Sequence, residues 1–215
     1  MIQFDNVVVA RGGKTILDGV TLKVDTGEKV ALAGKSGSGK STILGTLVGA
    51  YEPASGKVTY DNLELTPQTV RRVREAIAFI GQEPALGADT VEEALLLPFT
   101  FHANHGTKPS EKSIAEVLEK LHLSHDILKS KATVISGGEK QRVAIARALL
   151  MKKRVFLADE VTSALDPVSK KVVIEIFSQP DLTVLSVSHD ADWICHCDRV
   201  LTLDAGRIVD ERSIQ

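Results

Sequence analysis

The stretch Val30-Ala31-Leu32-Ala33-Gly34-Lys35-Ser36-Gly37-Ser38-Gly39-Lys40-Ser41-Thr42 decides the reading of this chain. An apolar run of strand type feeds a glycine-rich loop, and the loop feeds the helical pattern Ile43-Leu44-Gly45-Thr46-Leu47-Val48. Gly34, Gly37 and Gly39 let backbone N–H groups turn inward around an anion, and the following helix adds the positive end of its dipole. Lys40 is placed to reach the β and γ phosphates of a nucleotide, and Ser41 to set its hydroxyl on a Mg²⁺ that bridges them. A Gly-x4-Gly-Lys-Ser string carries weight only between a strand and a helix, which is where this one lies.

Three other stretches extend the same chemistry. Leu157-Ala158-Asp159-Glu160 ends a near-continuous apolar strand in two carboxylates, and strand ends in open α/β sheets are where ligands bind. Asp159 is expected to hold Mg²⁺, directly or through water, and Glu160 to accept the proton of an attacking water. Val187-Ser188-His189-Asp190 also follows an apolar strand, which makes His189 a candidate γ-phosphate sensor. Ser136-Gly137-Gly138-Glu139 opens a helix and forms a second anion-binding end, which one nucleotide does not need. A second copy of the chain would use it.

The 215 residues suit one large domain or a domain with a subdomain. With 43% hydrophobic and 25% charged residues the composition is that of a globular protein, and no apolar run approaches the ~20 residues that span a bilayer. The first residues do not resemble a signal peptide, so a cytoplasmic location is expected. A net charge of −2 provides no basic field for nucleic acid. Cys195 and Cys197 are the only cysteines, which fits a reducing compartment.

The pattern along the chain predicts strands at Ile2 to Val9, Val20 to Val24 and Lys57 to Tyr60, the last after a loop over Glu52 to Gly56, and a short buried strand at Ile77 to Ile80. It also predicts strands at Arg154 to Ala158 and Leu182 to Val187, and a closing hairpin of Val200 to Leu203 with Arg207 to Val209. Helices are expected at Gln68 to Ala76, Thr90 to Leu97, Ser110 to Leu121, Gly138 to Met151 and Asp166 to Phe177, with Ser110 and Ser136 as caps. The layout is an α/β ATPase core interrupted by a mostly helical insertion.

These residues together resemble the nucleotide-binding subunits of ATP-binding cassette (ABC) transporters over essentially the whole chain. The resemblance implies an α/β P-loop NTPase core with an antiparallel β subdomain, over 1–82 and 151–215, and an inserted helical subdomain over 83–150. Gly34 through Thr42, with Lys35, Ser36 and Ser38 inside it, look like the Walker A motif, and Val155 to Glu160 like Walker B with its catalytic base. Gln82 looks like the Q-loop glutamine that touches Mg²⁺ and faces the membrane partner. Ser136 to Glu139 resemble the signature motif, Ser163-Ala164-Leu165-Asp166 the D-loop that meets the nucleotide, and His189 the switch histidine. Implied with them are ATP and Mg²⁺, a head-to-tail homodimer that sandwiches two ATP molecules, and a separate transmembrane permease that holds the chain at the cytoplasmic face of the cell membrane.

The chain departs from the family pattern at three positions. Glu139 stands where Gln is usual, Val161 replaces a Pro and is expected to loosen the turn after Glu160, and Arg11 replaces an aromatic that stacks on the base, leaving its guanidinium as the candidate to stack on the purine. Within the family, Gly138 to Arg142, Glu160 to Asp166 and Pro84 to Val91 look most like a bacterial iron-export ATP-binding subunit, with amino-acid importers and lipid or drug exporters sharing most of these residues. Two other classes fit the motifs: a soluble ABC ATPase acting on ribosomes or DNA, and a regulatory module that binds ATP without turnover. The pairs His102/His105 and His122/His125 and the run Cys195-His196-Cys197 invite a metal reading, yet poor ligand geometry and their surroundings make them structural or surface residues.

Overall fold

A computed structural model describes residues 1–104 and 106–214. Its strands are β1 (Ile2–Arg11), β2 (Lys14–Val24), β3 (Lys29–Ala33), β4 (Ser55–Tyr60), β5 (Leu63–Glu64), β6 (Ile77–Ile80), β7 (Val155–Asp159), β8 (Thr183–Val187), β9 (Arg199–Asp204) and β10 (Arg207–Ser213). The helices are α1 (Lys40–Leu47), α2 (Val70–Ala76), α3 (Val91–Leu96), α4 (Glu111–Lys120), α5 (Gly137–Leu150), α6 (Pro167–Phe177) and α7 (Ala191–Ile194). Short 3-10 turns lie at Leu97–Thr100, His102–Asn104 and His125–Lys129.

The strands form two sheets. One is antiparallel with order β2-β1-β4-β5, and the other has order β10-β9-β3-β8-β7-β6. In the second sheet β9, β3, β8, β7 and β6 run parallel, and only β10 is antiparallel. A parallel sheet must be covered on both faces, and β7 and β8 are accordingly buried along their whole length. Successive side chains point to opposite faces, so each strand supplies two cores. Val30, Leu32, Leu157, Leu185 and Leu201 pack with Ile43, Leu44 and Leu47 of α1 and with Phe4 and Leu22 of the antiparallel sheet. Ala31, Phe156, Ala158 and Val184 pack on the other face with Val143 and Ile145 of α5 and Val173 and Phe177 of α6. Phe156 meets Phe177 edge to face at 5.1 Å, and truncating so buried a ring to Ala costs ~3–5 kcal/mol.

The segment from α3 to α5 is not an island. Leu95, Ile114, Leu118 and Ile127 belong to the same continuous cluster as Phe156 and Val184 of the sheet. Capping fixes where its helices start. Thr90 and Ser136 form capping boxes with Glu93 and Glu139, and Ser110 accepts from the Ser113 N–H.

Four expectations need correction. β2 begins at Lys14, six residues before Val20, because Lys14 to Val20 pair with β1 across a hairpin whose register shifts. β4 begins at Ser55 because Gly56, read as loop, runs so close to β1 that a Cβ there would meet Asn6 O at 2.3 Å. α2 starts at Val70, after the Thr66 and Thr69 hydroxyls have tied the preceding turn to itself. Phe79 is 46% exposed, since β6 is an edge strand and its alternate side chain has no layer over it. Among the described residues, no helix is long and apolar enough to cross a membrane.

Candidate nucleotide-binding site

In the sheet β8 lies between β3 and β7, all three parallel, so their carboxyl ends emerge side by side. The residues just beyond those ends are Gly34, Glu160 and His189, and β6 on the far side of β7 leads to Gln82. The result is an open cleft of about 400 Å³ lined by Ser36, Gly37, Gly39, Lys40, Ser41 and Thr42, together with Gln82, Asp159, Glu160 and His189. Ile16 and Val187 complete the wall. Motifs up to 153 residues apart in sequence thus meet because a parallel sheet gathers its strand ends at one edge.

The loop is held from beneath. Gly34 has φ +133, and a Cβ there would sit 2.1 Å from Leu203 O of β9. Gly39 has φ +110, and its Cβ would meet Leu17 Cδ2 at 2.7 Å. Two of the three glycines therefore answer to protein packing as well as to an anion, whereas a Cβ on Gly37 would meet nothing within 4 Å. Lys40 is 7% exposed, and its Nζ donates to Gly34 O at 2.7 Å and Lys35 O at 2.9 Å. Burial lowers the Lys40 pKa, against the raising pull of Glu160 and Asp159. Ser38 Oγ is buried with no hydrogen-bond partner among the described residues.

Glu160 has φ +50, a left-handed conformation uncommon for a residue with a side chain and often found at functional sites. The chain holds it there: its N–H donates to Val187 O at 2.9 Å, and its carbonyl accepts from Ser163 N at 3.1 Å and Ser163 Oγ at 2.8 Å. The turn is therefore not loosened by Val161, which is 2% exposed and packs into the core. The Glu160 carboxylate reaches His189 Nε2 at 3.5 Å, with the His side chain 55% exposed and the Glu 15%. Asp190 beside it is anchored by Lys170 Nζ at 2.8 Å and caps α7.

Several of the sequence-selected residues stand apart from this cleft. Ser136, Gly137, Gly138 and Glu139 do not line it. They form the start of α5, where a Cβ on Gly138 would lie 2.9 Å from Ala164 O. Asp166 caps α6, accepting from the N–H groups of Val168 and Ser169 at 3.0 Å and from Ser169 Oγ at 2.6 Å. These bonds, the Ser169 hydroxyl first, hold its carboxyl down at about 2. Arg142 of α5 donates to Ser169 Oγ at 2.5 Å, which ties the start of α5 to that of α6. Arg11 is exposed at the end of β1 and outside the cleft wall, where Ile16 stands instead. Sequence reading missed Ile16, and only the pairing of β2 with β1 could have placed it.

Among the described residues no group of three or more His, Cys, Asp or Glu side chains could hold a metal ion, and His105 of the His102 pair lies outside them. Cys197 is buried with its thiol pushed up to about 12, and its Sγ donates to Trp193 O at 3.5 Å.

Comparison with known proteins agrees with this geometry. Residues 17–163 match the family model described as ABC transporter. The mycobactin import ATP-binding/permease protein of Mycolicibacterium thermoresistibile is 36% identical over 99% of the chain, which spans 38% of that relative's length. A methionine import ATP-binding protein of Pseudomonas syringae pv. syringae is 35% identical over 100% of the chain and 68% of its own length. The dimeric structure of a bacterial ABC transporter cassette superposes with a TM-score of 0.90 at 30% identity, covering 100% of this chain and 99% of that one. A dimeric cassette in a post-hydrolysis state bound to ADP and Pi gives 0.89 at 29%, with coverage of 100% and 99%.

Proposed function

The chain belongs to the ABC transporter family, and from that premise we propose that it is the ATP-hydrolysing subunit of a membrane transporter, working through a separate transmembrane permease. The observation that carries the reading is the single cleft in which Lys40, Ser41, Gln82, Asp159, Glu160 and His189 meet. Lys40 and the N–H groups of the loop would bind the β and γ phosphates of ATP, Lys40 leaving the carbonyls of Gly34 and Lys35 to do so. Asp159, the Ser41 hydroxyl and the Gln82 carbonyl are hard oxygen donors around one cleft and suit Mg²⁺, which when bound would neutralise phosphate charge. Glu160 would accept a proton from water aimed at the γ-phosphate, and His189, within 3.5 Å of it, would donate a hydrogen bond to that phosphate.

The start of α5 and the cleft do not meet within one chain. Two copies arranged head to tail would place Ser136 to Glu139 of each over the γ-phosphate of the other, and Asp166 near the junction. Two solved relatives are dimers by their descriptions. The stretch from Gln82 to Phe101, with Phe101 59% exposed, would face the permease, and membrane attachment at the cytoplasmic side would follow from that partner alone. Cargo is set by the permease: relatives named for mycobactin import, methionine import and multidrug resistance share this cassette, and the iron-export likeness rests on local stretches only.

The test is the solution mass of Glu160→Gln with Mg-ATP and without nucleotide, beside wild-type turnover. An ATP-dependent dimer with turnover reduced at least about 10³-fold is expected for loss of a general base in a closed site. A monomer with ATP, or a variant that still turns over, overturns the assignment and favours a binding module without hydrolysis.

A further inference from the structure

We infer that Glu139 acts as a built-in competitor of the γ-phosphate for the hydroxyl of Ser136, and so sets how much ATP is needed to close the dimer; this rests on the head-to-tail reading above. Glu139 Oε2 accepts from the Ser136 N–H at 2.8 Å and from Ser136 Oγ at 2.7 Å, while Ser136 Oγ in turn accepts from the Glu139 N–H at 3.3 Å. An ionised carboxylate has no proton to give, so in the second of these contacts the hydroxyl must be the donor. Ser136 has one hydroxyl proton, and Glu139 takes it. Hydrogen bonds from Ser136, side chain before backbone, hold the Glu139 carboxyl below its ordinary value, so it stays ionised at neutral pH.

An incoming γ-phosphate needs that same proton, and it meets a full negative charge less than 3 Å from the atom that carries it. Arg142, one turn further along α5, is engaged with Ser169 Oγ at 2.5 Å. An amide in place of the carboxylate changes both terms. Both Ser136 bonds go to the one oxygen Oε2, and a neutral amide oxygen in its place can keep the N–H bond while holding the hydroxyl proton less strongly than a carboxylate does, so the proton turns more readily toward phosphate. The like charge is also gone.

The experiment measures the Mg-ATP concentration at the midpoint of dimer formation, by solution mass, in Glu160→Gln and in Glu160→Gln/Glu139→Gln. It is repeated with Ser136→Ala added to each. We expect Glu139→Gln to lower the midpoint by about tenfold with Ser136 present, and by clearly less with Ser136→Ala, because the two side chains act through one proton. An unchanged or raised midpoint overturns the inference, as does a gain of the same size with and without the Ser136 hydroxyl. If Glu160→Gln itself stays monomeric at every Mg-ATP concentration, the shared-site reading falls, and this inference with it.

Discussion

The glycine-rich loop and the start of α5 are both helix N-termini suited to an anion, and they are built in opposite ways. At the loop the polar groups are buried in the protein's own core: Lys40 is 7% exposed, and Gly34 and Gly39 leave no room for a Cβ. At α5 Ser136 and Gly137 are on the surface, a Cβ on Gly137 would meet nothing within 4 Å although one on Gly138 would meet Ala164 O at 2.9 Å, and Ser136 is already bonded to the protein's own Glu139. A site set into the core can organise phosphate alone. A surface end whose anion position is already filled adds something only when a second chain brings a stronger anion to it.

The comparison would break first at Lys40. Lys40→Ala is expected to lower ATP turnover by about 10³-fold, because it removes the charge that meets the γ-phosphate as it transfers, and turnover within tenfold of wild type would remove the loop from the centre of the chemistry. The glycines sharpen it next. Gly34→Ala forces a Cβ onto Leu203 O and should cost about 3 kcal/mol in chemical unfolding, whereas Gly137→Ala should change stability by about 0.5 kcal/mol or less. Equal costs would mean that the loop is no more built in than α5. Ser136→Ala removes the hydroxyl half of the capping box, leaving the residue 136 N–H bonded to Glu139, and should cost about 1 kcal/mol, read by the same unfolding curves.

The smallest effect belongs to Asp166, which is exposed and holds its helix start by accepting two N–H groups and a hydroxyl. Its folded pKa of about 2 lies below the ordinary 3.8, so the stability it adds is present above 3.8 and is lost as pH falls through about 2. Asp166→Asn should therefore be the less stable protein at pH 6, and the gap should close across that acid window. A gap that widened on acidification would reverse the assignment.

Local chemistry made most of the site legible. A loop that needs Gly, Lys and Ser, acids at the end of a buried strand and the helix caps at Ser110 and Ser136 are all contained in short stretches, and each emerged where its residues placed it, whereas the capping box of Thr90 with Glu93 went unread. What stayed hidden depends on pairing between distant segments. Nothing near Gly56 shows that Asn6 passes 2.3 Å from its missing side chain, and the apolar run Ile77-Ala78-Phe79-Ile80 gives no sign that it lies at a sheet edge and leaves Phe79 in solvent. Ile16 enters the cleft wall only because β2 folds back on β1, and the bridge from Arg142 through Ser169 to Asp166 joins two helices whose spacing along the chain sets no distance. The helical segment showed its own amphipathic pattern but not that it would share one core with the sheet.

The floor of the phosphate loop has a consequence for how the protein is made. Leu203 O lies against Gly34, Gly206 donates its N–H to Ser38 O, and the Gly206 O accepts from Asp18, so β9 and β10 close the underside of a loop that a ribosome synthesises long before them. A nascent chain that has already emerged through β3 and α1 carries every residue of the motif and lacks its support. The full support of the loop therefore arrives late in synthesis, with the hairpin of β9 and β10.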